Sequence, residues 1–211
     1  MKKGFIFDLD GTLINSLPDI RNAMNRSLRT FGLPEHPLEK YNYMVGNGAL
    51  NLTRRAIGEH ADFYERVLHA YMADYAAHSR VDTAPYPGIP EALRVLQARG
   101  MRLCVFSNKD QSDVENIVAY YFPDIRFDAV RGRQENVPLK PDPAGALLSA
   151  EKMGLAPDEC WYVGDTGTDM DCANNARMDA VGVLWGFRTR AELEEHKAGI
   201  ILASPAELTA L

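Results

Sequence analysis

Apolar residues first form a short run and then change to helical spacing. The run at residues 5–7 ends at Asp8 and Asp10, which are followed by a glycine, and this pattern is typical of a buried strand that ends in a turn. From residue 15 to residue 79 apolar side chains recur every three or four positions, which predicts a block of helices. We see no strand signal in that segment.

Strands and helices alternate beyond a proline-rich link at residues 85–90. The pattern predicts strands at 101–106, 127–130, 160–163 and 180–183, helices at 91–99, 112–121, 143–153 and 169–176, and helical remnants near Ala191 and Pro205. Such alternation is typical of βαβ units and a parallel sheet. The helical block after the first strand is too long for one crossover. We therefore predict an α/β core domain of residues 1–14 and 85–211, with an inserted helical cap domain of residues 15–84.

Composition restricts the function classes. The chain has 211 residues, of which 46% are apolar and 25% charged, as in ordinary globular proteins. A formal charge of -6 and the lack of a basic, aromatic-rich cluster argue against a nucleic-acid partner. No apolar segment is long enough for a bilayer, and three widely spaced cysteines lack zinc spacing. We expect a cytoplasmic protein that is a monomer or a homodimer. Because the net charge is negative, groups within the binding site must attract any anionic substrate against the field of the whole protein.

Polar residues with catalytic chemistry follow the predicted strands. Asp8 ends the first strand, Ser107, Asn108 and Lys109 end the second, and Asp165 ends the strand at 160–163, while Lys140 lies in a loop between the third and fourth strands. In a parallel sheet these residues meet at the carboxyl edge, where ligands bind. Carboxylates placed close together repel one another unless a bound cation or a proton neutralises part of their charge. A divalent metal and a phosphate-bearing substrate suit this set.

Each residue also has a structural interpretation. The acids at the first strand end fit a simple Asp-Gly turn, and Ser107 fits a helix cap. Lys140 fits a solvated loop and Asp165 a turn residue. Short motifs of this kind arise by chance, so the joint occurrence at successive strand ends carries the functional interpretation.

Four segments resemble the motifs of the haloacid dehalogenase superfamily in order and spacing along nearly the whole chain. They are Asp8-Leu9-Asp10-Gly11-Thr12-Leu13, Ser107 after an apolar strand, Lys140 in Leu139-Lys140-Pro141-Asp142-Pro143, and Gly164-Asp165-Thr166-Gly167-Thr168-Asp169. The resemblance implies a Rossmann-like core, and the helical insert is similar to the cap placed between motifs one and two. Within the insert, residues 45–49 (Val-Gly-Asn-Gly-Ala) resemble the cap segment of phosphoglycolate phosphatases and their relatives.

The resemblance implies a phosphatase mechanism through an aspartyl-phosphate. Asp8 would be the nucleophile, and Asp10 would be the general acid and base, with its carboxyl group free for proton transfer. Ser107 and Asn108 would bind phosphoryl oxygens, and Lys140 would neutralise negative charge.

The resemblance also implies Mg²⁺ as the cofactor. Asp8, the backbone carbonyl of Asp10 and Asp165 would bind the ion, which prefers hard oxygen ligands. Asp169 would join this metal site by holding a metal-bound water or by orienting its neighbours.

Substrate choice would lie with the cap, which closes over the site. Gly46 and Asn47 would let backbone amides approach the ligand, and Arg54 or Arg55 could meet a substrate carboxylate. The alternative is that both arginines are solvated surface charges. Four tyrosines are expected to pack inside the cap: Tyr41, Tyr43, Tyr71 and Tyr75.

The leading hypothesis is hydrolysis of a small phosphorylated metabolite, with 2-phosphoglycolate as the best single substrate. A sugar phosphate, a nucleotide or pyrophosphate are alternatives. A sugar phosphomutase would use the same Asp8 and Asp10 and would differ only in the acceptor of the phosphoryl group. A dehalogenase is disfavoured because those relatives lack the second acid. A non-catalytic binding module would be free to lose Asp8 or Lys140, and this chain has both.

Overall fold

A computed structural model describes residues 1–211, and its core is a six-stranded parallel sheet. The strands are β1 (Gly4–Phe7), β2 (Ile14–Asn15), β3 (Ala84–Pro85), β4 (Arg102–Asp110), β5 (Ala129–Arg133), β6 (Cys160–Gly164), β7 (Asp179–Val183) and β8 (Ile200–Leu202). The sheet order is β5-β4-β1-β6-β7-β8, and every pairing in it is parallel. The predicted parallel α/β sheet is confirmed.

Helices cover both faces of the sheet and form the insert. They are α1 (Leu17–Thr30), α2 (Leu38–Met44), α3 (Gly48–Ile57), α4 (Tyr64–His78), α5 (Ile89–Ala98), α6 (Gln111–Tyr121), α7 (Ala144–Met153), α8 (Gly167–Asn175) and α9 (Arg190–Glu195). Short 3₁₀ turns occupy Ala61–Phe63, Pro157–Glu159 and Pro205–Ala210. None of the helices combines the length and apolar character needed to cross a bilayer.

The central strand β1 is buried on both faces. Phe5 and Phe7 pack into the core on one face, and Ile6 packs into the core on the other, as the two-residue period of a strand requires. Phe7 lies beside Val105 of β4 and Val163 of β6 in the parallel register. This register brings the carboxyl ends of three neighbouring strands to one place.

Helices α1 to α4 enclose a separate apolar cluster, which includes Met24, Leu28 and Tyr41. The predicted helical character of this segment is therefore confirmed. The boundaries of the two domains, at residues 14 and 85, stay a prediction. The short antiparallel pair β2–β3 joins the ends of the insert, with Ile14 opposite Pro85.

Three strand features differ from the sequence-based expectation. The pair β2–β3 and the edge strand β8 were not predicted, because two- and three-residue strands show no measurable period. Strand β4 extends to Asp110 rather than residue 106, since its pairing with β5 resumes at Arg133 after a shift in register. As a result Ser107 lies inside a strand rather than after it.

Candidate active site

Asp8 lies directly after β1 at the carboxyl edge of the sheet and is 5% exposed. Its N–H donates to the carbonyl of Val163 in β6 (2.9 Å), and its Oδ1 accepts from the N–H of Leu9 (2.7 Å). The Nζ of Lys140 lies 2.8 Å from the same oxygen. Strand pairing therefore fixes the backbone of Asp8, and the lysine holds its carboxylate.

Lys140 reaches the sheet edge from the loop between β5 and α7, and its ammonium group is buried. The Nζ lies 2.7 Å from Oδ1 of Asp169 and 3.4 Å from the carbonyl oxygen of Phe106. Asn108 of β4 positions the loop, because its Oδ1 accepts from the Lys140 N–H (2.8 Å) and its Nδ2 donates to the Lys140 carbonyl (3.3 Å). Asn108 thus acts here on the lysine backbone.

Three buried carboxylates form a cluster, since Asp8, Asp165 and Asp169 each place one oxygen within 4.8 Å of the others. Burial and repulsion from Asp169 raise the pKa of Asp8 to about 7, although Lys140 opposes the rise. Burial, with repulsion from Asp169 and Asp8, raises the pKa of Asp165 well above its usual range. A divalent cation would remove this repulsion, and an all-oxygen donor set fits Mg²⁺.

Asp165 is held on both oxygens and packed against glycines. Its Oδ1 accepts from the hydroxyl of Thr12 (3.1 Å), and its Oδ2 accepts from the N–H of Phe187 (2.8 Å). A Cβ on Gly11 would overlap the Asp165 carboxylate, and one on Gly186 would overlap the Asp165 Cβ. The carboxylate therefore has one orientation before any ligand binds.

Asp169 lies in the first turn of α8, where both of its oxygens are occupied. Its Oδ2 accepts from the N–H (3.1 Å) and the hydroxyl (2.7 Å) of Thr166, and its Oδ1 accepts from Lys140 (2.7 Å). These contacts orient Lys140 and fix the start of the helix.

The side chain of Asp10 lies outside the carboxylate cluster. Its Oδ1 accepts from the hydroxyl of Ser16 (2.5 Å), and the Nζ of Lys109 lies 2.9 Å from each carboxylate oxygen. The sequence analysis did not anticipate this ion pair with Lys109, and the role of the Asp10 carboxyl group in proton transfer stays a prediction. Lys109 reaches it from β4, which is distant in sequence, so the local pattern around Asp10 contained no sign of the pair.

Asp8, Asp10 and Ser107 line one cavity between the sheet edge and the cap helices. Its volume is about 600 Å³ including space open to solvent. The apolar part of its wall comes from cap residues: Ile20, Val45, Ala49, Leu52, Tyr71, Met72 and Tyr75. Ser107 is buried beneath the cavity and accepts from the N–H of Lys109 (3.3 Å). The site therefore combines a polar floor with an apolar roof.

The loop of residues 45–48 brings the cap down onto the sheet edge. The Gly46 carbonyl accepts from Nδ2 of Asn108 (3.0 Å), and the Val45 carbonyl accepts from Nη2 of Arg188 (3.0 Å). Gly46 and Gly48 have φ values of +113° and +78°, and a Cβ on Gly48 would lie 3.0 Å from the Asn108 carbonyl oxygen. Glycine is favoured at both positions for its left-handed backbone.

Asn47, Arg54 and Arg55 do not line the cavity. The Nδ2 of Asn47 lies 3.5 Å from the hydroxyl of Thr168, and its Oδ1 accepts from Nη2 of Arg55 (2.7 Å). Arg54 is exposed and lies over the ring of Tyr64, 5.1 Å from its centroid. Arg55 therefore supports the cap loop through Asn47, and neither guanidinium reaches the cavity.

Sequence reasoning gave no role to Lys109 and overlooked Arg188. Lys109 was placed at a strand end directly after Ser107 and Asn108, but its pairing with Asp10 was not foreseen. Arg188 lies in an irregular loop after β7, and no sequence pattern marks its contact with the cap. Tyr41, Tyr71 and Tyr75 pack in the cap core as expected, and Tyr71 and Tyr75 also line the cavity. The expectation is wrong for Tyr43, which is 60% exposed.

The chain is similar to known proteins in both sequence and structure. A family model described as haloacid dehalogenase-like hydrolase matches residues 5–183. The phosphoglycolate phosphatase of Pseudomonas putida is 32% identical over 204 residues, which cover 93% of this chain and 75% of that protein. That of Aquifex aeolicus is 30% identical, with 98% and 94% covered. A crystal structure from Lactobacillus delbrueckii subsp. bulgaricus, provisionally assigned as a phosphoglycolate phosphatase, has a TM-score of 0.94 at 29% identity and covers 99% of this chain and 98% of its own.

Proposed function

We propose that this chain, which belongs to the haloacid dehalogenase-like hydrolase family, is a Mg²⁺-dependent phosphatase that hydrolyses 2-phosphoglycolate. The reaction class, hydrolysis of a phosphoric monoester, follows from the family and from relatives named as phosphoglycolate phosphatases. One observation carries the mechanism. Asp8 and Asp10 line the same cavity, but only Asp8 belongs to the buried carboxylate cluster.

Asp8 attacks the substrate phosphorus, forming a bond from its carboxylate oxygen to phosphorus while the bond from phosphorus to the ester oxygen breaks. Asp10 gives a proton to the departing alkoxide, which leaves as an alcohol. Asp10 then removes a proton from a water molecule that attacks the aspartyl-phosphate. Inorganic phosphate leaves, and Asp8 regains its carboxylate. Asp8 and Asp10 have different roles because their partners differ. Lys140 pairs with Asp8, whereas Lys109 and Ser16 contact Asp10.

Asp8, Asp165 and the backbone carbonyl of Asp10 would hold Mg²⁺, with Asp169 beside them. When bound, the ion offsets the repulsion between a carboxylate nucleophile and an anionic phosphoryl group. The buried cluster and the raised pKa values of Asp8 and Asp165 support this assignment. Lys140 offsets further negative charge, and Ser107 binds a phosphoryl oxygen from the floor of the cavity.

None of the comparisons favours a sugar phosphomutase. A substrate panel decides between the remaining phosphatase substrates: phosphate release is measured from 2-phosphoglycolate, a hexose phosphate, a nucleoside monophosphate and pyrophosphate. We expect the highest kcat/KM for 2-phosphoglycolate, with turnover that stops in EDTA and returns with Mg²⁺. A higher value for another member of the panel would replace the proposed substrate, and metal-independent turnover would overturn the metal site.

The roles of the two acids are tested by the variants Asp8→Asn and Asp10→Asn with p-nitrophenyl phosphate. Asp10→Asn should release about one nitrophenolate per enzyme in a burst, since this leaving group needs no proton and the second step is slow. Asp8→Asn should show neither burst nor turnover. Asp158→Asn, an exposed site on the core, is the matched control. A burst from Asp8→Asn would refute the nucleophile assignment.

A further inference from the structure

The cavity contains one basic side chain. Four aspartates contribute to its wall, whereas Lys109 is the only lysine or arginine in the lining. The side chain of Lys109 is 8% exposed, and its Nζ lies 4.6 Å from the centroid of the Tyr75 ring. Lys140 is held below the cavity floor between Asp8 and Asp169. An anionic part of a ligand in this cavity therefore meets positive charge at Lys109.

The ammonium of Lys109 has unused hydrogen-bonding capacity. Its acceptors in the protein are the two carboxylate oxygens of Asp10, each at 2.9 Å. An ammonium group has three N–H donors. One donor therefore remains for a ligand, with the aromatic face of Tyr75 beside it.

The position of Lys109 relative to Asp10 decides which part of a substrate it meets. In the proposed reaction Asp10 protonates the ester oxygen, so that oxygen lies against the Asp10 carboxyl group. The Nζ of Lys109 touches the same carboxyl group. A substituent on the carbon bonded to the ester oxygen therefore lies within reach of the ammonium.

We propose that Lys109 is a specificity-determining residue that binds a substrate carboxylate placed one carbon away from the phosphate ester oxygen. This assignment rests on the proposed function and explains how a site rich in aspartates accepts an anionic leaving group. A substrate carboxylate bound there accepts from the N–H donor of Lys109 that Asp10 leaves free.

Two further acids in the wall bear on the charge balance. Asp110 is neutralised by Arg133, whose Nε lies 2.7 Å from Oδ1 of Asp110. Asp113 lines the cavity without an ion pair, and burial raises its pKa while Lys109 opposes the rise. Asp113 therefore repels a substrate carboxylate. Removing its charge should strengthen carboxylate binding, the opposite effect to removing Lys109.

The test compares two esters that share a two-carbon skeleton. 2-Phosphoglycolate carries a carboxylate where 2-hydroxyethyl phosphate carries a neutral hydroxymethyl group, and kcat/KM is measured for both with Mg²⁺. The ratio of interest is kcat/KM for 2-phosphoglycolate divided by kcat/KM for 2-hydroxyethyl phosphate. Lys109→Met should lower this ratio by at least about tenfold, mainly by raising KM for 2-phosphoglycolate, because a charged hydrogen bond is lost. Lys109→Arg should largely restore the ratio. Asp113→Asn should raise it.

The ratio separates specificity from a structural role. Loss of the Lys109 contact to Asp10 slows both esters alike and cancels in the ratio. Lys152→Met, an exposed lysine on α7, is the matched control and should leave both kcat/KM values unchanged. Calorimetry in the Asp8→Asn background, which cannot form the intermediate, should show that Lys109→Met weakens binding of 2-phosphoglycolate but not of 2-hydroxyethyl phosphate.

The outcomes distinguish the two proposals. If the natural sequence hydrolyses both esters and Lys109→Met slows them equally, Lys109 only positions Asp10 and the specificity proposal is overturned. If the natural sequence releases phosphate from neither ester, the proposed function fails and this inference fails with it. A selective loss for 2-phosphoglycolate, in rate and in calorimetry, supports the assignment.

Discussion

Replacing Lys140 by methionine removes the one cation inside the carboxylate cluster while keeping most of the side-chain volume. In the natural protein the ammonium lies 2.8 Å from Asp8 and 2.7 Å from Asp169, with a side-chain exposure of 2%. Removing one partner of a buried ion pair typically costs about 3–5 kcal/mol, because the remaining charge has neither water nor a partner. A typical domain is stable by about 5–15 kcal/mol, so the effect is large but leaves a measurable folded population.

The loss should depend on pH and on metal. At pH 5 Asp8 already binds a proton in the folded protein, whose Asp8 pKa is about 7, so the substitution removes the attraction of Lys140 to Asp169 but little attraction to Asp8. At pH 8 the full loss of about 3–5 kcal/mol applies in EDTA. Mg²⁺ restores positive charge to the cluster and should reduce the difference.

Urea unfolding of the variant and the natural protein, at pH 5 and pH 8 and with EDTA or Mg²⁺, measures these differences. Turnover of 2-phosphoglycolate by Lys140→Met should fall by about 10²–10³ in kcat, since a buried charge near the phosphoryl group is missing. Lys152→Met is again the control. A loss below about 1 kcal/mol in EDTA at pH 8 would refute the electrostatic account of the cluster.

Two further predictions follow from the metal site. Gly186→Ala should displace Asp165, because the added Cβ overlaps the Asp165 Cβ; we expect a tenfold or greater rise in the Mg²⁺ concentration needed for half-maximal activity and a loss of about 1–3 kcal/mol in stability. The control is Gly199→Ala, where an added Cβ would lie 3.5 Å from the nearest backbone oxygen. An unchanged Mg²⁺ dependence in Gly186→Ala would contradict the packing argument. Mg²⁺ should also raise Tm more at pH 8 than at pH 5.5. Without metal, folded Asp8 keeps its proton up to about pH 7, whereas the unfolded chain loses it near pH 4, so stability falls as pH rises across this range. Equal Mg²⁺ shifts in Tm at both pH values would count against a cluster that binds the ion through ionised carboxylates.

Hydrophobic periodicity was sufficient for the main architecture. Alternating apolar runs and helical segments beyond residue 85 predicted a parallel sheet, and all pairings among its six strands are parallel. Periodicity was insufficient where elements were short. The pair β2–β3 forms only when the two ends of the insert meet, and neither two-residue strand shows a pattern on its own.

Candidate site residues were accessible to sequence reasoning because ligand-binding groups of parallel sheets lie at the carboxyl ends of the strands. Asp8, Ser107 and Asp165 were located in this way, and Asp8 and Asp165 do lie in one buried cluster with Asp169. The cap arginines Arg54 and Arg55 were chosen by charge alone, and the structure places neither in the cavity. Whether a charged side chain on a helix faces the cavity or solvent is decided only when the helix packs against its neighbours.

The amino-acid sequence by itself determined the α/β order of elements and the residue types present at the carboxyl edge of the sheet. Both are local properties, since strand and helix periods and residues at strand ends are read from neighbouring positions. Only the tertiary structure decided the partner of each charge: Lys140 with Asp8 and Asp169, and Lys109 with Asp10. Such pairs join residues far apart in the chain, so their choice depends on strand order and register.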